Sequence, residues 1–264
     1  MLLCFDIGNT NVKAAFFQGD EIIHEWRIST DAGRTVDEYF SIVNSLMASA
    51  GLKIEGVSSV AISSVVPSLK ETFASLSEKF IGKKPLVVGP DMYSKLPVKI
   101  TGERVKQIGT DLMCDAIAAW EKYKRSCVVA NFGTALAFTV LDDTGEIIGA
   151  AIAPGIGTAM KSLFSNTAQL PSVPFEIPKS SLGKNTMEAI QVGVVLGYKG
   201  LVESLVMQMK EDLVRETGAV FSEIKTIATG GLSGVLLPIT NVFDDEDKKL
   251  TLHGLRLAYE YGSR

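Results

Sequence analysis

Histidine is almost missing from this 264-residue chain: the two present, His24 and His253, lie far apart and lack the paired cysteine or acidic spacing of a metal site. They are assigned surface or capping roles. Cysteine is scarce too. Cys4, Cys114 and Cys127 sit in apolar or helical contexts with no C-x-x-C spacing, which excludes a disulfide framework or a zinc site and leaves them as small core residues. There is no basic excess: 26 Lys and Arg stand against 30 Asp and Glu, a net charge of −4, so nothing is set out to hold a nucleic acid. No apolar run approaches the roughly 18 residues a membrane-spanning helix needs, and no charged N-terminal segment with a cleavage site is seen. The expectation is a reduced, cytoplasmic protein with no membrane and no nucleic-acid partner. What is present is ordinary globular composition, 46% hydrophobic and 21% charged. The chain is long enough for one large domain or two of about 100 to 150 residues.

One short segment stands out, D-I-G-N-T-N-V-K from Asp6 to Lys13, which places an acid, a glycine and small polar side chains between two apolar runs. By itself it reads as a hairpin turn, since Gly-Asn tips supply positive φ cheaply, or as a phosphate loop. It has a weak echo at residues 127–149, where an apolar run again meets Asn131, a Gly-Thr turn and a second apolar run. In both copies a third strand beginning E-I-I follows a short glycine turn. Gly8 pairs with Gly133 and Gly19 with Gly145, so the chain reads as duplicated.

Around these hairpins the pattern alternates. Helices are expected over 36–50, 68–80, 111–124, 186–217 and 251–261, and strands over 57–66, 85–88 and up to 229. Residues 171–183, with three prolines and several serines, read as a loop. The run D-D-E-D-K-K, 244–249, reads as a solvated turn. The fold class is α/β, with a boundary near Gly109 and domains over 1–109 and 110–264.

Eight segments in order resemble the type III pantothenate kinase family, within the actin-like (ribonuclease H-like) ATPase and sugar-kinase superfamily. They are D-I-G-N-T-N-V-K at Asp6, I-S-S-V-V-P at Ile62, G-T-D at Gly109, N-F-G-T at Asn131, I-A-P-G-I-G-T-A-M-K-S-L at Ile152, N-T-A-Q-L-P at Asn166, N-T-M-E-A-I-Q-V-G at Asn185 and A-T-G-G-L at Ala228. The resemblance implies two duplicated actin-like domains with a nucleotide cleft between them, ATP and Mg²⁺ as ligands, K⁺ or NH₄⁺ at a second cation position, and a homodimer. It also implies pantothenate as the acceptor, 4′-phosphopantothenate as the product and a place in coenzyme A biosynthesis.

Residue by residue, Asp6, Ile7, Gly8, Asn9, Thr10, Asn11, Val12 and Lys13 would form the first ATP-binding segment. Gly8 lets backbone amides approach a phosphate, Lys13 adds charge, and Asp6 holds Mg²⁺, which needs few carboxylates. Thr134 serves the second hairpin, and Gly230 and Gly231 pass along the adenosine. Asp111 corresponds to the acid of the family's G-x-D-R motif and would accept the proton of the attacking hydroxyl; read from the residues alone it is a helix cap. Gly109, Thr110, Asp111, Leu112 and Thr186 fall at acceptor positions, and Asp6 and Asn131 at metal positions.

The departures gather away from ATP. Leu112 replaces an Arg suited to a carboxylate, no ring stands near Gly102 where the family has a Tyr although Arg104 is close by, Asn131 replaces an Asp, and Ala189 replaces a Ser. Three readings therefore stand: a pantothenate kinase with a substituted site, a kinase for another small alcohol, and a non-catalytic nucleotide-dependent regulator. Retention of both Asp6 and Asp111 favours an enzyme.

Overall fold

The computed structural model describes residues 1–165 and 173–264; the N-T-A-Q-L-P motif beginning at Asn166 falls wholly within 166–172, outside the described residues. The chain starts with three antiparallel strands, β1 (Leu2–Ile7), β2 (Asn11–Gln18) and β3 (Glu21–Ser29). Helix α1 (Val36–Ser49) follows, begun by a capping box in which Thr35 and Glu38 satisfy each other's backbone donors. It buries Tyr39, Val43 and Met47, a stripe spaced by four residues. Next come β4 (Ser59–Ser64), α2 (Pro67–Leu76), β5 (Leu86–Val87), a helical turn at Pro90–Lys95, α3 (Arg104–Gln107) and α4 (Thr110–Tyr123). The first sheet has the order β3-β2-β1-β4-β5. β1 is at its centre, antiparallel to β2 and parallel to β4, and a strand covered on both faces reads as a continuous apolar run rather than an alternating one.

The pattern then repeats. β6 (Cys127–Phe132), β7 (Ala135–Leu141) and β8 (Ile147–Pro154) form the second meander, followed by α5 (Ile156–Ser165), α6 (Thr186–Gln191), a wide turn at Val192–Leu196, α7 (Gly197–Thr217), β9 (Lys225–Thr229), α8 (Ser233–Leu236), β10 (Asp245–Glu246) and α9 (Leu250–Gly262). The second sheet runs β10-β9-β6-β7-β8. In each sheet the first strand of the meander lies between the second strand and a parallel fourth, with the third and fifth at the edges. This repeated order is the duplication that Gly8 and Gly133 announce in the sequence.

The compact units are residues 1–118 with 250–264, and residues 119–249. The sequence division at 109/110 assigns α4 and α9 to the second half; packing places most of α4 and all of α9 with the first. The reason is local. A Cβ on Gly254 would stand 2.9 Å from Cys114 Cα and closer still to its carbonyl, so only glycine lets α9 lie on α4. The Thr251 hydroxyl donates to Asp115 Oδ1 at 2.7 Å, both groups buried, and the Tyr259 hydroxyl donates to Ser59 Oγ at 2.7 Å.

Each unit has its own core, one built around Phe5, Phe16, Tyr39 and Phe73 and the other around Phe132, Phe138, Val195 and Val206. Fully burying a side chain of this kind contributes about 1.5–3 kcal/mol.

Two sequence expectations need correction. The acidic run at 244–249 includes strand β10, parallel to β9, and Asp244 Oδ2 accepts from both the amide and the hydroxyl of Thr226 at 2.8 Å. Local charge says nothing about such distant pairing. The helical stretch 186–217 is long and apolar enough by composition to cross a membrane, contrary to the expectation of no such run. Its apolar residues Ile190, Val194, Val195, Val202, Val206 and Leu213 are buried in the second core.

Candidate active site

Pairing along the first hairpin sets its charges. Asp6 lies opposite Lys13 and Ile7 opposite Val12, and facing residues of an antiparallel pair project to the same side. Lys13 Nζ accordingly stands 3.5 Å from Asp6 Oδ2. At the tip the Gly8 amide donates to the Asn11 carbonyl at 3.0 Å, and Asn9 and Thr10 are exposed. Thr30 ties the tip down from the end of β3: its hydroxyl donates to the Gly8 carbonyl at 2.7 Å and its amide to the Thr10 carbonyl at 3.0 Å.

Asp6 is only 7% exposed. Burial pushes its carboxyl up, while Lys13 and the Ser63 hydroxyl pull it down. Ser63 lies opposite Asp6 on β4, and its hydroxyl donates to Thr110 Oγ1 at 3.0 Å, joining the central strands to the start of α4. Asp111 is the second residue of that helix. Its Oδ1 accepts the Leu112 amide at 2.9 Å, and the Gly109 carbonyl accepts the Met113 amide at 3.0 Å. Burial first, and then the charge of Asp6, raise the Asp111 carboxyl, against the Leu112 amide and Lys13. Within the first unit the structure thus gathers Asp6, Lys13, Gly109, Thr110 and Asp111. Leu112 is next to them and buried, 7% exposed. Gly102 falls in an exposed turn with φ of +67°.

The second unit repeats the hairpin design. The Gly133 amide donates to the Ala135 carbonyl at 3.0 Å, and the Thr134 carbonyl accepts from the Gly155 amide at 3.0 Å and the Thr158 hydroxyl at 2.7 Å. Thr158 does for this tip what Thr30 does for the first. Thr134 itself is exposed. Asn131 pairs in register with Thr229, whose buried hydroxyl has no hydrogen-bond partner among the described residues. Gly230 has φ of +96°, and a Cβ on it would be 2.6 Å from Phe132 N, so this glycine lets the turn after β9 lie against β6. Gly231, beside it, is exposed. Thr186 opens α6 after its cap Asn185. It lines a cavity of ≈ 810 Å³ together with Ala159, Ser162, Lys184, Ala189 and Tyr198.

Among the described residues no three His, Cys, Asp or Glu side chains gather into a metal cluster. His253 instead meets Phe17 edge-on at 6.0 Å, and His24 stacks on Trp26 at 5.6 Å. A cation that takes most of its ligands from phosphate and water suits Asp6, whose desolvated carboxylate gains from a nearby positive charge. Two further residues escape sequence reasoning. Ser63 is signalled only by its place in the I-S-S-V-V-P segment, and Tyr93, which burial and then Cys114 and Asp111 push up to about 12, has no sequence signal beyond an aromatic after Gly-Pro.

The profile of the type III pantothenate kinase family matches residues 2–208. A type III pantothenate kinase of Syntrophus aciditrophicus is 38% identical over 263 residues, covering 100% of both chains, and one of Geobacter sulfurreducens is 37% identical over 260 residues, covering 98% of both. Among solved structures, the activator of the 2-hydroxyisocaproyl-CoA dehydratase from Clostridium difficile, with bound ADPNP, superposes with a TM-score of 0.52 at 14% identity, covering 99% of this chain and 95% of that one. That likeness shows a shared fold, built here on two five-stranded mixed sheets.

Proposed function

The chain belongs to the type III pantothenate kinase family of ATP-dependent phosphotransferases, and from that premise we infer that it phosphorylates pantothenate with ATP, giving 4′-phosphopantothenate in the first step of coenzyme A biosynthesis. The observation that carries this reading is the pair of carboxylates, Asp6 and Asp111, held in one unit beside Lys13 and an open glycine hairpin. Phosphoryl transfer asks a protein mainly to position groups and offset charge.

In this reading the acceptor's primary hydroxyl oxygen forms the new bond to the γ-phosphorus, the bond from that phosphorus to the β–γ bridging oxygen breaks, and ADP leaves. Asp111 takes the hydroxyl proton. Its raised carboxyl holds a transferred proton more readily than an ordinary aspartate. The exposed tip residues Asn9 and Thr10 of the first hairpin, Thr134 of the second and Lys13 hold the phosphate chain, and Gly231 passes the adenosine. Asp6 would hold Mg²⁺, which when bound would supply charge neutralisation on the phosphates. Asn131 together with the unpartnered Thr229 hydroxyl offers neutral oxygens suited to K⁺ or NH₄⁺. Thr186 contributes to the acceptor site. The enzyme works in the cytoplasm as a homodimer, for which Met187 and Met207, exposed on α6 and α7, offer apolar surface.

ADP release measured with pantothenate and with a panel of other small alcohols tests the assignment. Turnover with pantothenate supports it. Turnover with a different alcohol alone moves the acceptor assignment, and ATP binding without any turnover makes the protein a nucleotide-dependent regulator.

A further inference from the structure

A row of polar side chains crosses the first sheet. Lys13 of β2, Asp6 of β1 and Ser63 of β4 are consecutive register partners, so their side chains project to one side of three neighbouring strands about 4.8 Å apart. Their chain neighbours Phe5, Ile7, Val12 and Ile62 turn the other way, into the core. Ser63 ends the row. It is fully buried, and its hydroxyl meets Thr110 Oγ1, on the first residue of α4, at 3.0 Å.

Among the described residues the other hydrogen bonds of this turn are internal to it: Asp111 Oδ1 accepts the Leu112 amide, and the Gly109 carbonyl accepts the Met113 amide. The hydroxyl pair is the polar tie to the sheet. Burying two hydroxyls costs free energy unless they pair, and an apolar pair of the same shape would fill the space about as well, so stability alone does not call for them here. What the pair adds is a link that tolerates a change of charge. Ser63 also faces the Asp6 carboxyl, which burial raises and Lys13, then Ser63, draws back down. When Ser63 turns its one proton toward an ionised Asp6, Thr110 donates to Ser63 in its place, and the bridge to α4 survives either way.

We propose that Ser63 is a positioning residue for phosphoryl transfer: its bond to Thr110 fixes the first turn of α4, and with it the Asp111 carboxylate, against the strand that carries Asp6. The inference rests on the kinase reading above. It makes the spacing of the two carboxylates depend on a hydroxyl too deeply buried to touch a substrate. Loss of the bridge frees the turn to shift, and a misplacement of about 1 Å among positioned groups can cost about 100-fold in rate.

The test is a double-mutant cycle on Ser63→Ala and Thr110→Val, read by steady-state ADP release against pantothenate and ATP, ATP affinity by calorimetry, and melting temperature. Ser63→Ala is expected to lower kcat about 10- to 100-fold while both KM values and the ATP affinity stay within about threefold. One bond can be lost only once, so the double variant should have a kcat no lower than that of the slower single variant. Thr110→Ser, which keeps the hydroxyl, should retain more kcat than Thr110→Val, and this comparison decides the matter should Ser63→Ala fail to fold. A merely structural hydroxyl would lower the melting temperature and leave kcat of the folded protein at the wild-type value. That result overturns the proposal, as do losses that multiply in the double variant or a Thr110→Ser no faster than Thr110→Val. A wild type that releases no ADP with any alcohol overturns the kinase reading itself; an active wild type matched by Ser63→Ala overturns this inference alone.

Discussion

Gly155 is where the second phosphate hairpin can be displaced by a single methyl group. It follows Pro154 at the end of β8, and its amide donates to the Thr134 carbonyl at 3.0 Å. A Cβ there would stand 2.5 Å from Thr134 O and 2.8 Å from Thr134 C, with the Gly133 carbonyl nearer still. All of these are backbone atoms, so no side chain can swing away. Restoring ordinary contact requires the tip to retreat by roughly 1 Å, and forcing a methyl into packed structure costs about 1–3 kcal/mol. For a chain of this size that corresponds to a melting temperature lower by about 2–10 °C. A misplacement of about 1 Å among groups that position a reacting substrate can cost about 100-fold in rate, or ~2.7 kcal/mol of barrier. Gly155→Ala is therefore expected to lower kcat/KM for ATP by about two orders of magnitude. Gly149→Ala on the same strand, where a Cβ meets nothing within 4 Å, is the control and should behave as wild type. If Gly155→Ala binds and uses ATP as the wild type does, the second hairpin does not hold the triphosphate.

Asp111→Asn is expected to abolish turnover while leaving ATP affinity by calorimetry within a few fold, because the hairpin donors do not involve it. Since burial raises the Asp111 carboxyl, kcat should climb with pH through a midpoint above the ordinary carboxylate range. Over that window the native state binds more protons than the unfolded one, so stability should fall as pH rises, and a urea-denaturation series on Asp111→Asn should show a shallower fall. Asn131→Asp should increase dependence on K⁺ by adding a hard anionic ligand, measured against a bulky organic cation at constant ionic strength; an unaltered ratio argues against a cation there. Leu112→Arg should lower the KM for pantothenate about tenfold, ~1.4 kcal/mol, while the buried position loses stability; a KM that stays put removes the carboxylate argument.

The hairpins were legible because their chemistry is local. A glycine tip between two apolar runs, written twice with matching glycine turns, is enough to anticipate two meanders, and the helices α1, α4 and α9 follow from apolar spacing. What escaped depends on partners distant in sequence. β10 is two residues long and exists through pairing with β9, which its own acidic composition argues against. α9 joins the first unit through Gly254 and Thr251, whose partners Cys114 and Asp115 lie about 140 positions earlier. Reading the family's pattern onto the chain directs attention to Gly102, an exposed turn, whereas the buried ring nearby in the sequence is Tyr93, nine residues earlier. Whether a tyrosine hydroxyl is satisfied is a question of three-dimensional neighbours, and no spacing rule reports it.

The discontinuity of the first unit sets an order of assembly. Residues 119–249 are contiguous and can close their own core as soon as they have been synthesised. The first unit waits for 250–264. At about 5–20 residues per second, the intervening segment of roughly 130 residues takes on the order of 10 s to make. During that interval α4 has no α9 against it, and Asp115, four residues beyond Asp111 on the same helix, lacks the Thr251 hydroxyl that it accepts from in the finished fold. The helix bearing the candidate base therefore gains its packing partner only once the last segment of the unit has been translated.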